Sequence, residues 1–232
     1  MGEEIIYSAT AWRNNSELIA DVARLGYIEG TVLDVTYGLG NFWNVYRPEH
    51  LTGCDLDPAK SPIGYSVDFR KLPFGNGEFD TVVFDPPYRL NGTPDRGTFD
   101  ANYGVSSRYH WTDRLRDIEE GIRECSRVAG SRFLLKCQDQ ISPACRKNWQ
   151  TFNFSYLAVV ECGLVLDDRF DMLTKPRPQR PSKQVWSHSN YSTLLVFKKP
   201  RKKSRKRLDT AAPVAVGVKK TPTKEINRWA GP

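Results

Sequence analysis

Thr81, Val82, Val83, Phe84, Asp85, Pro86, Pro87 and Tyr88 run from an unbroken apolar segment into a carboxylate, two prolines and an aromatic ring. Continuous apolar character is expected of a strand covered on both faces, as in a parallel sheet, so a strand is placed at 81–85. The prolines fix φ and remove two backbone donors, which stops the strand and leaves a carbonyl such as that of Asp85 or Pro86 without an internal partner.

Outward from this segment the chain alternates between strand and helix patterns. Leu18, Ile19, Val22, Ala23 and Leu25 fall near helical spacing over 16–27, with Ser16 as the expected N-cap. Strands are expected at 31–35, 51–55 and 64–68, and a short helix near 41–46. Beyond the proline pair a helix is expected at 112–129, a strand at 132–136, a helix at 149–163, and strands at 164–170 and 192–197. This alternation implies an α/β sheet with helices on both faces, and ligands in such sheets gather at the carboxyl ends of the strands. Thr36 to Gly40, Asp55, Asp68 and the segment from Asp85 to Tyr88 all fall at such ends.

In Asp34, Val35, Thr36, Tyr37, Gly38, Leu39 and Gly40 the glycines allow a tight turn and close approach of a ligand. The run is neither a full dinucleotide fingerprint nor a phosphate loop. Asp55, about twenty residues further on, suits both hydroxyls of a ribose, whereas Asp57 suits a capping turn. Asp68 is placed to accept an adenine amino group, with the ring of Phe69 on the base. Asp85 and a free carbonyl beside it can each accept one hydrogen of an exocyclic amino group, drawing the nitrogen lone pair out of conjugation, while Tyr88 stacks on a flipped base. Such direct transfer requires neither a cysteine nucleophile nor a metal.

The net charge of +7 divides unevenly. From Lys198 onward twelve Lys and Arg face two acids, a net +10, which leaves 22 basic and 25 acidic residues, a net −3, for the rest. Residues 1–198 are therefore read as one catalytic domain and 199–232 as a basic, disordered tail, either solubilising or attracted to phosphate backbones. Five cysteines without a CxxC pair favour reduced thiols, no zinc pattern is evident, and the three histidines have no metal spacing. No apolar run approaches a membrane span and Met1, Gly2, Glu3 and Glu4 lack signal-peptide character, so a soluble, cytoplasmic protein is expected.

Residues 31–40, 53–58, 68–74 and 79–88, in this order, resemble the S-adenosylmethionine-dependent amino-methyltransferases that act on adenine N6 or cytosine N4 of DNA, and the small phage-type members most. The resemblance covers most of residues 10–198 and implies a bacterial or phage-infected host cytoplasm. It implies the class I methyltransferase fold, a Rossmann-like α/β domain whose seven-stranded sheet is mostly parallel with an antiparallel last strand. It also implies S-adenosylmethionine as cofactor, held by Asn14, Asn15, Asp34, Thr36, Tyr37, Gly38, Gly40, Asp55, Asp68, Phe69 and Asp85, and a catalytic pocket of Asp85, Pro86, Pro87 and Tyr88. Asp85 in the first motif position favours adenine over cytosine. RNA methylation, for instance at guanine N2, and a catalytically silent nucleic-acid-binding module are the alternatives.

Two departures from the family stand out. Tyr37 replaces a small residue in the glycine loop, and no target-recognition domain is evident. Contacts to DNA are therefore expected from smaller pieces: Arg89, Arg96, Arg108, Tyr109 and His110 after the proline pair, Arg180 and Lys183 in a second loop, and Lys202, Lys203 and Arg205 in the tail. Lys136, Gln138 and Asp139, at the end of the fifth strand, either border the pocket or serve the fold. The lack of a fused nuclease pattern favours an orphan methylase. Oligomeric state and target sequence are left open.

Overall fold

The computed structural model of the chain describes residues 5–87, 110–142, 146–175 and 185–200. The chain divides after Pro200 into two units, and all the described residues belong to the first.

That unit carries a seven-stranded sheet. Its strands are β1 (Ala9–Thr10), β2 (Thr31–Asp34), β3 (His50–Gly53), β4 (Phe79–Phe84), β5 (Ala129–Cys137), β8 (Val165–Leu173) and β9 (Tyr191–Lys198), in the spatial order β1-β8-β9-β5-β4-β2-β3. A separate two-stranded hairpin pairs β6 (Gln140–Ile141) with β7 (Lys147–Asn148). In the large sheet β3, β2, β4 and β5 are mutually parallel, β1 is parallel to β8, and β9 is antiparallel to both β5 and β8. This is the class I methyltransferase architecture expected from the sequence, with the antiparallel last strand in place.

One strand differs from expectation. Residues 64–68 form no strand; the segment is irregular and is tied back through the Val67 amide, which donates to the Asp55 carbonyl at 2.9 Å. Val67 is its one buried residue, while Gly64, Tyr65 and Ser66 are exposed, so it has no continuous apolar face to offer a sheet. The seventh place is taken at the opposite edge by β1, continued by the Asp171 amide, which donates to the Ser8 carbonyl at 2.6 Å. Near residue 41 the expected helix is a single 3-10 turn, Asn41–Trp43.

Helix α1 (Asn15–Arg24) starts one residue earlier than expected and is capped by Asn14, not Ser16. The Asn14 side chain accepts from the Glu17 amide at 3.0 Å and from the Ser16 hydroxyl at 2.7 Å, which satisfies an otherwise orphaned helix donor. Helix α2 (Trp111–Val128) and the short α3 (Gln150–Tyr156), which runs into a π turn at Leu157–Glu161, lie on the other side of the sheet. Strand side chains alternate between the two layers. Leu33, Val82, Phe84, Phe133, Leu135, Leu195 and Phe197 pack with Ile118, Ile122, Phe154 and Leu157 on the α2 side. Val32, Val83, Leu134, Leu194 and Val196 pack with Leu18, Ile19, Val22, Trp12 and Trp43 on the α1 side. Among the described residues no helix is long and apolar enough to cross a membrane.

Gly121 sets how closely α2 approaches the sheet. A Cβ there would lie 2.7 Å from both Phe69 Cδ2 and Phe84 Cζ, inside van der Waals contact. Gly121→Ala therefore lowers the thermal midpoint, because overpacking at about 1–3 kcal/mol exceeds the helix-propensity gain of about 1 kcal/mol. A midpoint that stays or rises in thermal denaturation followed by circular dichroism would show that these rings do not limit the approach.

Candidate functional site

The register of the parallel strands assembles the site. Asp34 pairs with Val83, and Phe84 pairs with Leu135, so one step further along the sheet Asp85 comes beside Lys136. By alternation Asp34, Asp85 and Lys136 then all face the α1 layer, at the carboxyl end of the sheet where open α/β folds bind ligands.

Asp34, 3% exposed, accepts from Trp43 Nε1 at 2.8 Å and from the Thr36 amide at 3.0 Å. Burial pushes its carboxyl up to about 7 against those two donors, and the nearby Asp85 and Asp55 add to the rise. Thr36 in turn accepts the Asp85 amide through its hydroxyl at 2.9 Å, so the loop after β2 fixes the backbone at the end of β4. Asp34 thus holds the loop as a structural acceptor.

The loop itself is built on two left-handed glycines, Gly38 (φ 55°) and Gly40 (φ 71°). The Gly38 amide donates to Asp55 Oδ2 at 2.9 Å, and the Gly40 amide to the Tyr37 carbonyl at 2.8 Å. Asp55 Oδ1 accepts from the Asp57 amide at 2.9 Å. A carboxylate oxygen has two lone pairs, so both Asp55 oxygens still have capacity for hydroxyl donors. Asp57 caps the turn at Pro58–Lys60, as expected. The Tyr37 ring lies across Gly53 and Gly40, where a Cβ would come within 2.3 and 2.6 Å of it, and Arg47 Nη1 donates to its hydroxyl at 3.2 Å. The aromatic residue that departs from the family pattern thereby serves as packing between β3 and the loop.

Asp85 has a buried carboxylate oxygen, Oδ1, with no hydrogen-bond partner among the described residues. A buried acceptor without a donor is costly, and at a strand end of an α/β sheet a ligand's donor would relieve that cost. Burial pushes the Asp85 carboxyl up to about 6, and the Lys136 ammonium pulls it back. Pro86 is buried and Pro87 half-buried beside it.

Other expected residues take different roles. Asn14 is occupied in capping α1. The Asp68 carboxylate is held by Arg70, with Nε 3.0 Å from each oxygen and Nη2 2.6 Å from Oδ2, and Arg70 also pairs with Asp117. That pairing holds Asp68 below the usual carboxylate range. The Phe69 ring is turned into the core, 5.0 Å from the Phe84 ring. In this arrangement neither side chain presents the adenine contact expected of it, because each is already engaged. Asn15 Oδ1 accepts from Lys136 Nζ at 2.7 Å. His110 caps α2, its ring accepting from the Thr112 amide. Gln138 and Asp139 serve the fold: Gln138 Nε2 donates to the Tyr191 carbonyl, and Asp139 Oδ1 accepts the Thr151 amide in α3. Tyr88, Arg89, Arg96, Arg108, Tyr109, Arg180, Lys183, Lys202, Lys203 and Arg205 lie outside the described residues.

Trp43 is not among the residues expected at the site, and Lys136 is expected only to border the pocket or serve the fold. The signal for Lys136 is its place directly after Phe133, Leu134 and Leu135 in a strand buried on both faces, where a charge has no structural excuse. Burial also pushes the Cys54 and Cys137 thiols up to about 12, so neither supplies a thiolate at neutral pH.

No family model and no curated protein matches the chain. Among solved structures, the magnesium protoporphyrin IX methyltransferase of Synechocystis PCC 6803 with bound SAM is similar at 13% identity and a TM-score of 0.44, over 80% of this chain and 78% of that one. A SAM-dependent methyltransferase of Methanosarcina mazei is similar at 12% identity and a TM-score of 0.46, over 76% of this chain and 96% of that one. Likeness at this level carries no argument about activity or substrate, and the function is argued from the site.

The raised carboxyl of Asp34 gives a pH dependence of known sign. The unfolded chain releases this proton near pH 4, whereas the folded state keeps it up to about 7. Between those values the folded state binds the extra proton, so the Asp34 contribution to stability falls as pH rises through the window. Asp34→Asn removes that contribution: urea unfolding at pH 4.5 and 7.5 will show a smaller loss of stability on going to the higher pH than in the wild type. An equal or larger loss in the variant would contradict the protonated, buried Asp34.

Proposed function

We propose that this chain is an S-adenosylmethionine-dependent methyltransferase acting on the exocyclic amino group of a base in DNA, with adenine N6 as the target. The observation that carries the reading is the buried, unpartnered Asp85 oxygen at the end of β4, followed by two prolines. An acceptor so placed, with no donor of its own, suits an incoming amino hydrogen.

The chain's residues fit the cofactor. Asp55, at the end of β3, has remaining acceptor capacity for two ribose hydroxyls, and the left-handed glycines of 38–40 leave the backbone open to close approach. Asp34 and Thr36 keep that loop in register with Asp85. When bound, the sulfonium supplies an electrophilic methyl: the amino lone pair forms the N–C bond as the C–S bond breaks, and the electron pair stays on sulfur in S-adenosylhomocysteine. The chain prepares the nitrogen. Asp85 accepts one amino hydrogen and a neighbouring carbonyl the other, turning the lone pair away from the ring. Asp85 then takes the proton shed by the methylated nitrogen and passes it to water. Its carboxyl, at about 6, is ionised at neutral pH yet basic enough for that transfer. The buried thiols, protonated at neutral pH, take no part.

DNA as the polymer is supported by the motif order and by the basic residues of the sequence, among them Arg89, Arg96, Arg180, Lys202 and Lys203. Purified protein is to be incubated with labelled S-adenosylmethionine and unmodified genomic DNA, then the DNA digested to nucleosides for mass spectrometry. Labelled N6-methyladenine that disappears in Asp85→Ala is expected. N4-methylcytosine would move the target to the other base, and methylation confined to RNA would overturn DNA as the substrate. Asp85 also sets the pH profile: kcat/KM, which reports the groups of the free enzyme, falls as pH drops through about 6, where the carboxylate takes up its proton. A flat kcat/KM between pH 5 and 8 would exclude Asp85 as the acceptor.

A further inference from the structure

Lys136 is a buried cation that the reaction above does not use. It is 1% exposed and ranks among the largest fully buried side chains of the fold. An ammonium group in such a place costs several kcal/mol, on the order of the penalty for any buried ion, unless other groups compensate it. Its one hydrogen bond among the described residues goes to a neutral acceptor, Asn15 Oδ1 at the start of α1, at 2.7 Å. A salt bridge would explain the lysine as structure, but the described residues provide none for it. What the sheet does place beside it is Asp85, next in register on β4 and itself lacking a partner for Oδ1.

The charged surroundings are one-sided. The ends of β2 and β3 contribute Asp34 and Asp55, both acidic. Strand β9 contributes the uncharged Leu194 opposite Lys136, and α1 contributes the neutral Asn15, its Glu17 being paired with Arg13 at the surface. Cys137, next along β5, is protonated. Among the described residues Lys136 is the cation whose charge acts on Asp85. Burial lowers the lysine and raises the aspartate, and each opposes the other's shift.

We propose that Lys136, held from α1 by Asn15, is a positioning residue that keeps the Asp85 carboxylate ionised and so ready to accept the hydrogen of the substrate's amino group. The inference rests on the proposed role of Asp85 in amino-group methylation. It assigns to the end of β5 a part in the chemistry, and to Asn15 the task of aiming the ammonium rather than of holding a cofactor.

The test reads Asp85 directly. Protein labelled with 13C at the aspartate carboxyl carbons is titrated by NMR, the Asp85 signal being assigned by its loss in Asp85→Asn. Lys136→Gln removes the charge while retaining a donor for Asn15 Oδ1, and Lys136→Arg retains the charge. In Lys136→Gln the Asp85 midpoint is expected to rise by about one pH unit or more, a tenfold change, and in Lys136→Arg to stay near the wild-type value. The acid limb of kcat/KM for methylation moves up with it, and activity returns towards the wild-type plateau at high pH. An Asp85 midpoint unchanged in Lys136→Gln overturns the proposal, as does lost activity with an unmoved acid limb, which is the mark of a purely structural lysine. Should circular dichroism show that Lys136→Gln does not fold, Lys136→Met is read by the same criteria. A moved midpoint in a protein that methylates no base upholds the pairing and overturns the amino-transfer reading instead.

Discussion

The parallel register of β2, β4 and β5 is the constraint from which the rest of the site follows. Pairing Asp34 with Val83 and Phe84 with Leu135 brings the ends of three strands to one level. A slip of one residue would turn every side chain of a strand to the opposite face. Here it would send Asp85 or Lys136 into the α2 layer, among Ile118 and Ile122. The apolar alternation of Val82, Val83 and Phe84 against Phe133, Leu134 and Leu135 makes such a slip expensive, so burial in the two cores holds the polar groups in line.

The polar interactions then tie the loops to that frame. Asp34 is buried as an acceptor for Trp43 and the Thr36 amide, and Thr36 is hydrogen-bonded to the Asp85 amide. The loop after β2 and the turn after β4 are consequently one unit, joined through a side chain of the first and the backbone of the second. Asp55 extends the same unit to β3 through the Gly38 amide. The buried carboxylate of Asp85 at the end of β4 is electrostatically unfavourable, and Lys136 at the end of β5 is the compensating charge. That balance explains why a lysine is kept at a place where the strand otherwise demands an apolar side chain.

Much of this was legible in the sequence because it depends on local chemistry. The apolar run into Asp85 and two prolines, the glycine loop after Asp34 and the acid at Asp55 each announce themselves by residue type and spacing. The segment at 64–68 misled, since a single apolar residue, Val67, was read as part of a strand, and the strand that fills the sheet is the two-residue β1, too short to leave a pattern. Asp68 and Phe69 were read by position alone, whereas Arg70, two residues away, claims the carboxylate, and Gly121, some fifty residues away, opens the space that the ring fills. The partnership of Asn15 and Lys136 spans 121 residues, and no local pattern encodes it. Cost was the remaining clue: a lysine after three large apolar residues asks for a reason.

Whether Asp85 receives the amino group of a base is decided by a crystal structure of the protein with S-adenosylhomocysteine and a short unmethylated oligonucleotide. An adenine is expected turned out of the stack, its amino nitrogen within hydrogen-bonding distance, about 2.7–3.2 Å, of Asp85 Oδ1. A base or other substrate bound with its acceptor or donor atoms away from Asp85, and with that oxygen still unpartnered, would contradict that role.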